Sequence, residues 1–218
     1  MSDLEFPVLG GWTMRRAGMA DLEQIAQLER QIFVNDAWSP ELWRQELASP
    51  HTWYLAVVPV DDPVVVRGYA GLLALPGSKD ADVQTIALAP DVRGVGMGRE
   101  LMNQLHAEAQ RRGVRDVFLD VRVDNDRAQQ LYHSLGYTDI GIRKGYYQPD
   151  DVDAIVMQLP LASNRPAAES TSGGGPAAES TSGGGPAAES AGGEPAAESA
   201  GGGTAVDSTA QPANGDQP

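Results

Sequence analysis

Residues 83–113 read VQTIALAPDVRGVGMGRELMNQLHAEAQRRG, and this stretch decides the fold. β-Branched and other apolar residues fill Val83–Leu88, which predicts a strand that ends at the following Ala-Pro. A glycine-rich turn comes next, and apolar residues then recur with helical spacing over 99–112 until Gly113 ends the helix. A strand, a tight turn and a long helix in this order are typical of α/β domains.

The glycine-rich turn runs from Arg93 to Arg99. Three of its backbone positions lack a Cβ atom, so a ligand can approach the main chain closely. Unpaired N–H groups and the helix dipole at the start of the following helix favour an anion. The turn therefore predicts a site for phosphate or pyrophosphate, to which the two arginines add positive charge. The three glycines are Gly94, Gly96 and Gly98.

Several kinds of phosphate site can be compared with this turn. The P-loop pattern GxxxxGK[ST] does not occur in the chain. The dinucleotide fingerprint GxGxxG requires a third glycine where Arg99 stands, and it belongs after the first strand of a βαβ unit rather than this far along the chain. A left-handed glycine turn without any ligand remains an alternative.

The rest of the first 162 residues has the periodicities of an α/β domain. Apolar positions alternate in short segments and recur at three- and four-residue intervals in longer ones. The order predicts helices on both faces of a mixed sheet. Predicted strands cover 12–16, 53–58, 65–75, 83–88, 117–123, 137–143 and 153–159, and predicted helices cover 19–33, 40–48, 99–112 and 125–135.

Composition excludes several functional classes. The chain has 218 residues, no cysteine, three scattered histidines and a net charge of −14, so neither a thiolate site nor a structural zinc site is expected. Acidic character without a basic stripe argues against nucleic acid. No apolar run is long enough to span a membrane, and the N-terminal residues do not resemble a secretory signal. We therefore expect a cytoplasmic protein with no membrane partner and no metal.

A change in composition near Ala162 divides the chain into a domain over 1–162 and a tail over 163–218. The tail contains seven acidic residues and one basic residue, no aromatic residue, and repeats of PAAESTSGGG and PAAESAGG. Such a segment cannot bury enough apolar surface to offset the entropy of ordering it. We expect a disordered, solvated spacer.

The turn also carries a family resemblance. Arg93, Gly96 and Gly98 match [Q/R]xxGx[G/A], the acetyl-CoA signature of the GNAT superfamily of N-acetyltransferases. Similarity to the RimI branch, the ribosomal-protein-alanine N-acetyltransferases, continues on both sides. It implies a GNAT fold with a mostly antiparallel sheet, and acetyl-CoA as co-substrate. The segments concerned are Trp38-Ser39, Thr85–Pro90, Leu119–Asn125, Leu131–Tyr137 and Arg143–Tyr147.

The resemblance implies which residues bind the cofactor. The backbone of the strand before the turn would hold the pantetheine and polarise the thioester, and a preorganised N–H there would stabilise the developing oxyanion. Those strand residues could equally be plain core. Asn125 would bond the pantetheine, cap the following helix, or do both. The implied cofactor residues are Ile86, Ala87, Leu88, Arg93, Gly94, Val95, Gly96, Met97, Gly98, Arg99 and Asn125.

Two residues stand where the resemblance implies catalysis. Asp120 takes the place of a general base that is usually Glu in the family, so a bridging water is expected to carry the proton. Its alternative role is an ion pair with Arg122 on the same strand face. Tyr132 would protonate the departing CoA thiolate, or would only pack its helix against the sheet.

The implied acceptor is the N-terminal alanine of a ribosomal protein, whose α-amine would attack acetyl-CoA directly in a ternary complex. Acidic residues, Glu29 among them, suit a cationic substrate. One rival is a GNAT enzyme that acetylates a small amine or an antibiotic, and another is an acetyl-CoA-binding module with weak catalysis and a tethering tail.

The expected acceptor groove combines the 36–41 loop and a turn at 146–147, with Asp36, Trp38, Glu41, Tyr146 and Tyr147.

Overall fold

The computed structural model describes residues 6–161, and the predicted spacer over 163–218 lies outside the described residues. Within that range the chain forms seven strands and four α-helices. The strands are β1 (Trp12–Arg16), β2 (Thr52–Pro59), β3 (Gly68–Leu73), β4 (Asp80–Leu88), β5 (Asp116–Arg122), β6 (Thr138–Tyr147) and β7 (Val152–Pro160). The helices are α1 (Leu22–Ile32), α2 (Pro40–Ala48), α3 (Met97–Arg111) and α4 (Asp126–Ser134).

The strands form one sheet in the order β1-β2-β3-β4-β5-β7-β6. All neighbours are antiparallel except β4 and β5, which α3 connects as a crossover. The predicted mixed, mostly antiparallel α/β fold is thus confirmed. The parallel pair is short, because its register covers only Asp80↔Asp116 through Asp82↔Phe118. Beyond that point β4 continues beside β3, while β5 continues beside β7.

The element order is as predicted, but two boundaries differ in ways that affect the site. Helix α3 begins at Met97 rather than at position 99, because Gly96 adopts a left-handed conformation and accepts the bond from the Glu100 N–H. Strand β6 continues to Tyr147, which pairs with Val152 of β7. The predicted turn at 146–147 is therefore wrong, and both tyrosines lie at the end of a strand.

The central strands are covered on both faces. Almost every residue of β2 and β3 is buried. Tyr54 and Tyr69 face α1 and α2, and the alternate residues, such as Leu55 and Ala70, face the opposite side of the sheet, where α3 packs on β3 and β4. This confirms helices on both faces. It also explains why these strands read as continuous apolar runs.

An aromatic cluster fills the space between α2 and the sheet. The Trp43 ring is fully buried, with its centroid 5.0 Å from Trp38, 5.4 Å from Tyr54 and 5.0 Å from Tyr69. Gly71 faces the Tyr54 ring so closely that a Cβ atom there would lie 2.1 Å from a ring carbon. The glycine in β3 therefore makes room for the cluster.

Glu29 lies inside this cluster and is only 2% exposed. Its carboxylate accepts a hydrogen bond from the Trp38 backbone N–H at 3.0 Å and another from the Tyr69 hydroxyl. Burial raises the pKa of Glu29 from 4.5 to about 7, although these two bonds partly oppose the shift. Glu29, one of the acidic residues expected to suit a cationic substrate, is thus enclosed, because it shares the buried face of α1 with Ile25.

The raised pKa of Glu29 predicts a pH-dependent difference in stability between the protein and its Glu29→Gln variant. Burial disfavours the charged carboxylate of Glu29 and so costs the folded protein stability when the group is charged. This loss of stability is nearly absent below the ordinary pKa of 4.5, and it is complete once the pH has risen through about 7. The unmodified protein should therefore gain stability relative to the variant as the pH falls. The difference between their free energies of unfolding should favour the unmodified protein by about 3 kcal/mol more at about pH 4.5 than at about pH 8. Urea denaturation followed by circular dichroism measures both values, and a difference independent of pH would contradict the burial of a titrating Glu29.

Candidate active site

The glycine-rich turn presents open backbone to its surroundings. Gly94 has φ +82° and Gly96 has φ +89°, which are conformations that favour glycine. A Cβ atom built on either residue meets no atom within 4 Å, so the space in front of both is open. Gly96 is also the N-cap of α3, whose first N–H groups lack partners within the helix. The turn therefore has the shape and polarity of an anion cradle.

A cavity of about 190 Å³ lies against this turn. Three arginines and no carboxylate occur among the residues that line it, so the cavity favours a negatively charged ligand. The lining residues are Leu88, Arg93, Gly94, Gly96, Met97, Gly98, Arg99, Arg127 and Leu131. Seven of these were predicted from the sequence as cofactor residues.

Two lining residues, Arg127 and Leu131, come from α4 and were not predicted. They are four residues apart and lie on the same side of that helix. The apolar spacing of α4 was visible in the sequence, but the position of this helix beside the turn depends on the tertiary fold. Asn125, just before α4, accepts a hydrogen bond from the Ala128 N–H at 3.1 Å, so its role as a helix cap is confirmed.

The two predicted arginines of the turn are anchored at the cavity wall. The Nε atom of Arg93 donates to the Leu88 carbonyl at 2.9 Å. A guanidinium nitrogen of Arg99 donates to the Ser134 hydroxyl at 2.6 Å and so links α3 to α4. Val95 is absent from the lining residues, since its side chain faces Gly10 and is 38% exposed. Any ligand contact of Val95 would thus come from its backbone.

The end of β4 approaches the cavity through one of its three predicted cofactor residues. Ile86, Ala87 and Leu88 are buried, and Leu88 lines the cavity itself. These three residues pair with β3 only, because the register with β5 ends at Asp82. Strands β4 and β5 have therefore diverged where β4 reaches the glycine-rich turn. There, the side of β4 that faces β5 is outside the hydrogen-bond ladder between these two strands.

Asp120 lies on β5, and its side chain is 17% exposed. It forms an ion pair of 3.1 Å with Arg143 and a side-chain hydrogen bond with Tyr146, both residues of β6. Burial raises the pKa of Asp120 above its ordinary value, while Arg143 and Tyr146 partly offset that shift. A partly buried carboxylate with a raised pKa is suited to accept a proton.

The alternative role considered for Asp120, an ion pair with Arg122, is wrong. Arg122 instead pairs with Asp124 at 3.0 Å and with Asp150 at 3.2 Å. Arg143 of β6, two strands away, pairs with Asp120, and the β6–β7 loop supplies the partner Asp150 to Arg122.

Tyr132 lies on α4 and is completely buried. Its ring packs edge-on against Tyr137 with 5.8 Å between centroids, and its neighbour Leu131 lines the cavity. The Tyr137 hydroxyl in turn contacts Nε2 of His106 at 2.9 Å. The structure thus gives Tyr132 a packing role and places it one residue from the cavity wall.

The residues expected at the acceptor groove come from the α1–α2 loop, the first turn of α2 and the end of β6. Asn35 of the α1–α2 loop donates to Asp150 of the β6–β7 loop at 2.9 Å, so these two loops meet. Tyr147 donates from its hydroxyl to the Asp120 carbonyl at 3.2 Å, while Tyr146 bonds the Asp120 side chain. Contacts therefore connect the two loops and the end of β6 with the predicted base on β5.

The remaining three groove residues differ in how accessible they are. Asp36 is half-buried, and burial raises its pKa. Trp38 is only 6% exposed, and its ring belongs to the aromatic cluster rather than to an open groove. Glu41 is exposed on the first turn of α2 and pairs with Arg44.

Two features are absent from residues 6–161. No helix in this range is long and apolar enough to cross a membrane. No three His, Cys, Asp or Glu side chains in the same range converge as ligands for a metal ion.

Comparison with known proteins agrees with this geometry. A profile of the acetyltransferase (GNAT) family matches residues 19–137. The chain is 39% identical over 142 residues to the N-alpha-acetyltransferase RimI of Mycobacterium tuberculosis. This alignment covers 64% of this chain and 86% of that protein. It is 41% identical over 85 residues to the [ribosomal protein bS18]-alanine N-acetyltransferase of Escherichia coli, covering 38% of this chain and 57% of the relative.

A solved structure extends the comparison to the fold. The ribosomal-protein-S18-alanine N-acetyltransferase from Escherichia coli superimposes with a TM-score of 0.62 and 27% identity, over 74% of this chain and 99% of that one. The family match, the length of the alignments and the diverging strands beside a glycine-rich turn lead to one conclusion: the chain belongs to the GNAT family of acetyltransferases.

Proposed function

We propose that this chain transfers an acetyl group from acetyl-CoA to the α-amine of an N-terminal alanine on a ribosomal protein. The observation that carries the proposal is the alignment with RimI, at 39% identity over 86% of that protein, together with a site that has the parts this reaction needs. The relatives named as acting on ribosomal protein bS18 support the choice of acceptor.

The residues present fit acetyl-CoA. The arginine-lined cavity and the open backbone of Gly94 and Gly96 suit a pyrophosphate, with Arg127 adding charge from α4. The backbone of Ile86–Leu88, outside the β5 ladder, suits a pantetheine chain and the thioester oxygen. Acetyl-CoA supplies the activated acetyl group as a thioester.

In the proposed reaction the acceptor must first lose a proton, since a protein α-ammonium has a pKa of about 8. Asp120 takes that proton, through a bridging water because its side chain is short. The amine nitrogen then forms a bond to the acetyl carbon as the bond from carbon to sulfur breaks. A backbone N–H at the end of β4 stabilises the negative charge on the oxygen, and the Tyr132 hydroxyl gives its proton to the thiolate. The nitrogen loses its second proton as the amide forms, and this proton returns through water to the Tyr132 oxygen.

The acceptor would enter between the α1–α2 loop and the end of β6, where Asp36, Tyr146 and Tyr147 lie. The partly buried carboxylates of Asp36 and Asp120 favour a cationic N-terminus there. With no cysteine in the chain to form a thioester intermediate, we infer direct transfer in a ternary complex.

The substrate class can be tested with the full chain, acetyl-CoA and a set of acceptors. We expect peptides that begin with alanine to be acetylated at the α-amine, faster than peptides that begin with serine or methionine, as read by mass spectrometry. A polyamine and an aminoglycoside serve as competing acceptors. Acetylation of a small amine with no modified N-terminus would refute the protein substrate, and acetyl-CoA binding without any turnover would favour a binding module.

The proposed role of Tyr132 predicts a specific loss in the Tyr132→Phe variant. Removing the hydroxyl should lower kcat by roughly 10²-fold, the usual contribution of a general acid, and leave the Kd for acetyl-CoA within about two-fold. Tyr137→Phe is the matched control, because it removes a neighbouring buried hydroxyl that we do not assign to the reaction. Steady-state kinetics and calorimetry measure both effects, and equal turnover in the two variants would remove Tyr132 as the acid.

The cofactor assignment predicts that Gly96→Ala weakens acetyl-CoA binding at least about ten-fold. The added methyl group would occupy the open space in front of the turn, and it would also strain a left-handed position by about 1–2 kcal/mol. Gly77→Ala is the matched control, since Gly77 has φ +79° and equally open surroundings but lies in a distant turn. Calorimetry gives the Kd, and an equal loss in both variants would show that strain alone is responsible.

A further inference from the structure

The α1–α2 loop, residues 33–39, contacts the rest of the domain on both its outer and its inner side. On its outer side the Asn35 amide donates to Asp150. On its inner side the Trp38 backbone N–H donates to Glu29 at 3.0 Å. The first contact is exposed, so water competes for it, whereas the second is buried and therefore holds the loop more firmly.

The inner contact continues into the sheet through a second bond of the same carboxylate. Glu29 also accepts from the hydroxyl of Tyr69, a residue of β3. Tyr69 pairs with Ala87 of β4, in the segment proposed to hold the acetyl-pantetheine. One side chain thus links the backbone of the loop to the strand that lies directly beside the proposed cofactor strand.

The loop borders the proposed acceptor site through a chain of contacts. Asp150, which accepts from the loop, pairs with Arg122 at 3.2 Å. The Arg122 guanidinium lies 5.3 Å from the centre of the Tyr147 ring, and the Tyr147 hydroxyl donates to the Asp120 carbonyl. A displacement of the loop would therefore alter the wall opposite the proposed base.

From this arrangement we propose that Glu29 is a positioning residue for the acceptor: it holds the α1–α2 loop at a fixed distance from the acetyl-binding strand. The inference rests on the proposed function for the identity of the acceptor. Glu29 itself is buried and touches no substrate. Its contribution is to the geometry of the loop, so it should affect acceptor binding far more than acetyl-CoA binding.

Glu46 provides a matched control within the same aromatic cluster. Its carboxylate accepts from the Tyr54 hydroxyl at 2.7 Å, as Glu29 accepts from Tyr69. Glu46 lies near the end of α2 and its side chain has no hydrogen bond to the α1–α2 loop among the contacts of the described residues. Glu46→Gln therefore weakens a half-buried carboxylate–tyrosine pair without releasing the loop.

The kinetic test compares Glu29→Gln with Glu46→Gln, using acetyl-CoA and the alanine peptide that the unmodified protein acetylates. We expect Glu29→Gln to raise the KM for the peptide about five-fold or more, as for the loss of one ordinary hydrogen bond, and to leave the KM for acetyl-CoA and kcat within about two-fold. Glu46→Gln should leave all three constants nearly unchanged. An unchanged peptide KM in Glu29→Gln, or equal effects in both variants, would overturn the proposal.

A second measurement does not depend on turnover. Acrylamide quenching of Trp38 fluorescence, obtained by subtracting the signal of the matching Trp38→Phe protein, should increase in Glu29→Gln and stay low in Glu46→Gln. If no peptide is acetylated by the unmodified protein, the proposed function fails, and this measurement still decides whether Glu29 holds the loop. If Glu29→Gln does not fold, Tyr69→Phe removes one of the two bonds and should give a smaller increase in both readouts; no increase would refute the role.

Discussion

The divergence of β4 and β5 is the constraint on which the rest of the site depends. The two strands are parallel because a helix connects them, yet their ladder has only three residue pairs before they separate. Each then pairs with its outer neighbour, β3 or β7, so the sheet stays continuous at its base. The separation leaves main-chain groups of β4 available near the glycine turn, which a fully paired parallel sheet would not allow.

The glycine turn completes this opening on the side of α3. Gly96 reverses the chain in a left-handed conformation and begins the helix at Met97, so the helix N-terminus faces the cavity. Arg93 bonds back to the Leu88 carbonyl and joins the turn to the strand end. Arg99 reaches Ser134 of α4, which brings Arg127 to the same cavity. A short sequence motif thus acts through contacts with distant parts of the chain.

On the opposite side of the sheet, buried carboxylates organise the proposed acceptor region. Asp120 is held by Arg143 and Tyr146 of β6, and Glu29 is held by Trp38 and Tyr69. Burial raises the pKa of both groups for the same reason, because a low-polarity environment disfavours the charged form. Asp120 lies where it could exchange a proton with substrate, whereas Glu29 is enclosed by aromatic rings.

The order of the elements, the glycine turn before α3 and the helix cap at Asn125 could be predicted from the sequence, because interactions between neighbouring residues determine them. Spacing of apolar residues, glycine conformations and helix capping each operate within a few residues, so they are readable from the chain. The partner of Asp120, the contribution of Arg127, the strand end at Tyr146 and Tyr147, and the bond from Tyr69 to Glu29 were decided only by tertiary structure. Each depends on which strands and helices become neighbours. Contacts between segments that are distant in the chain cannot be read from the spacing of apolar residues within one segment.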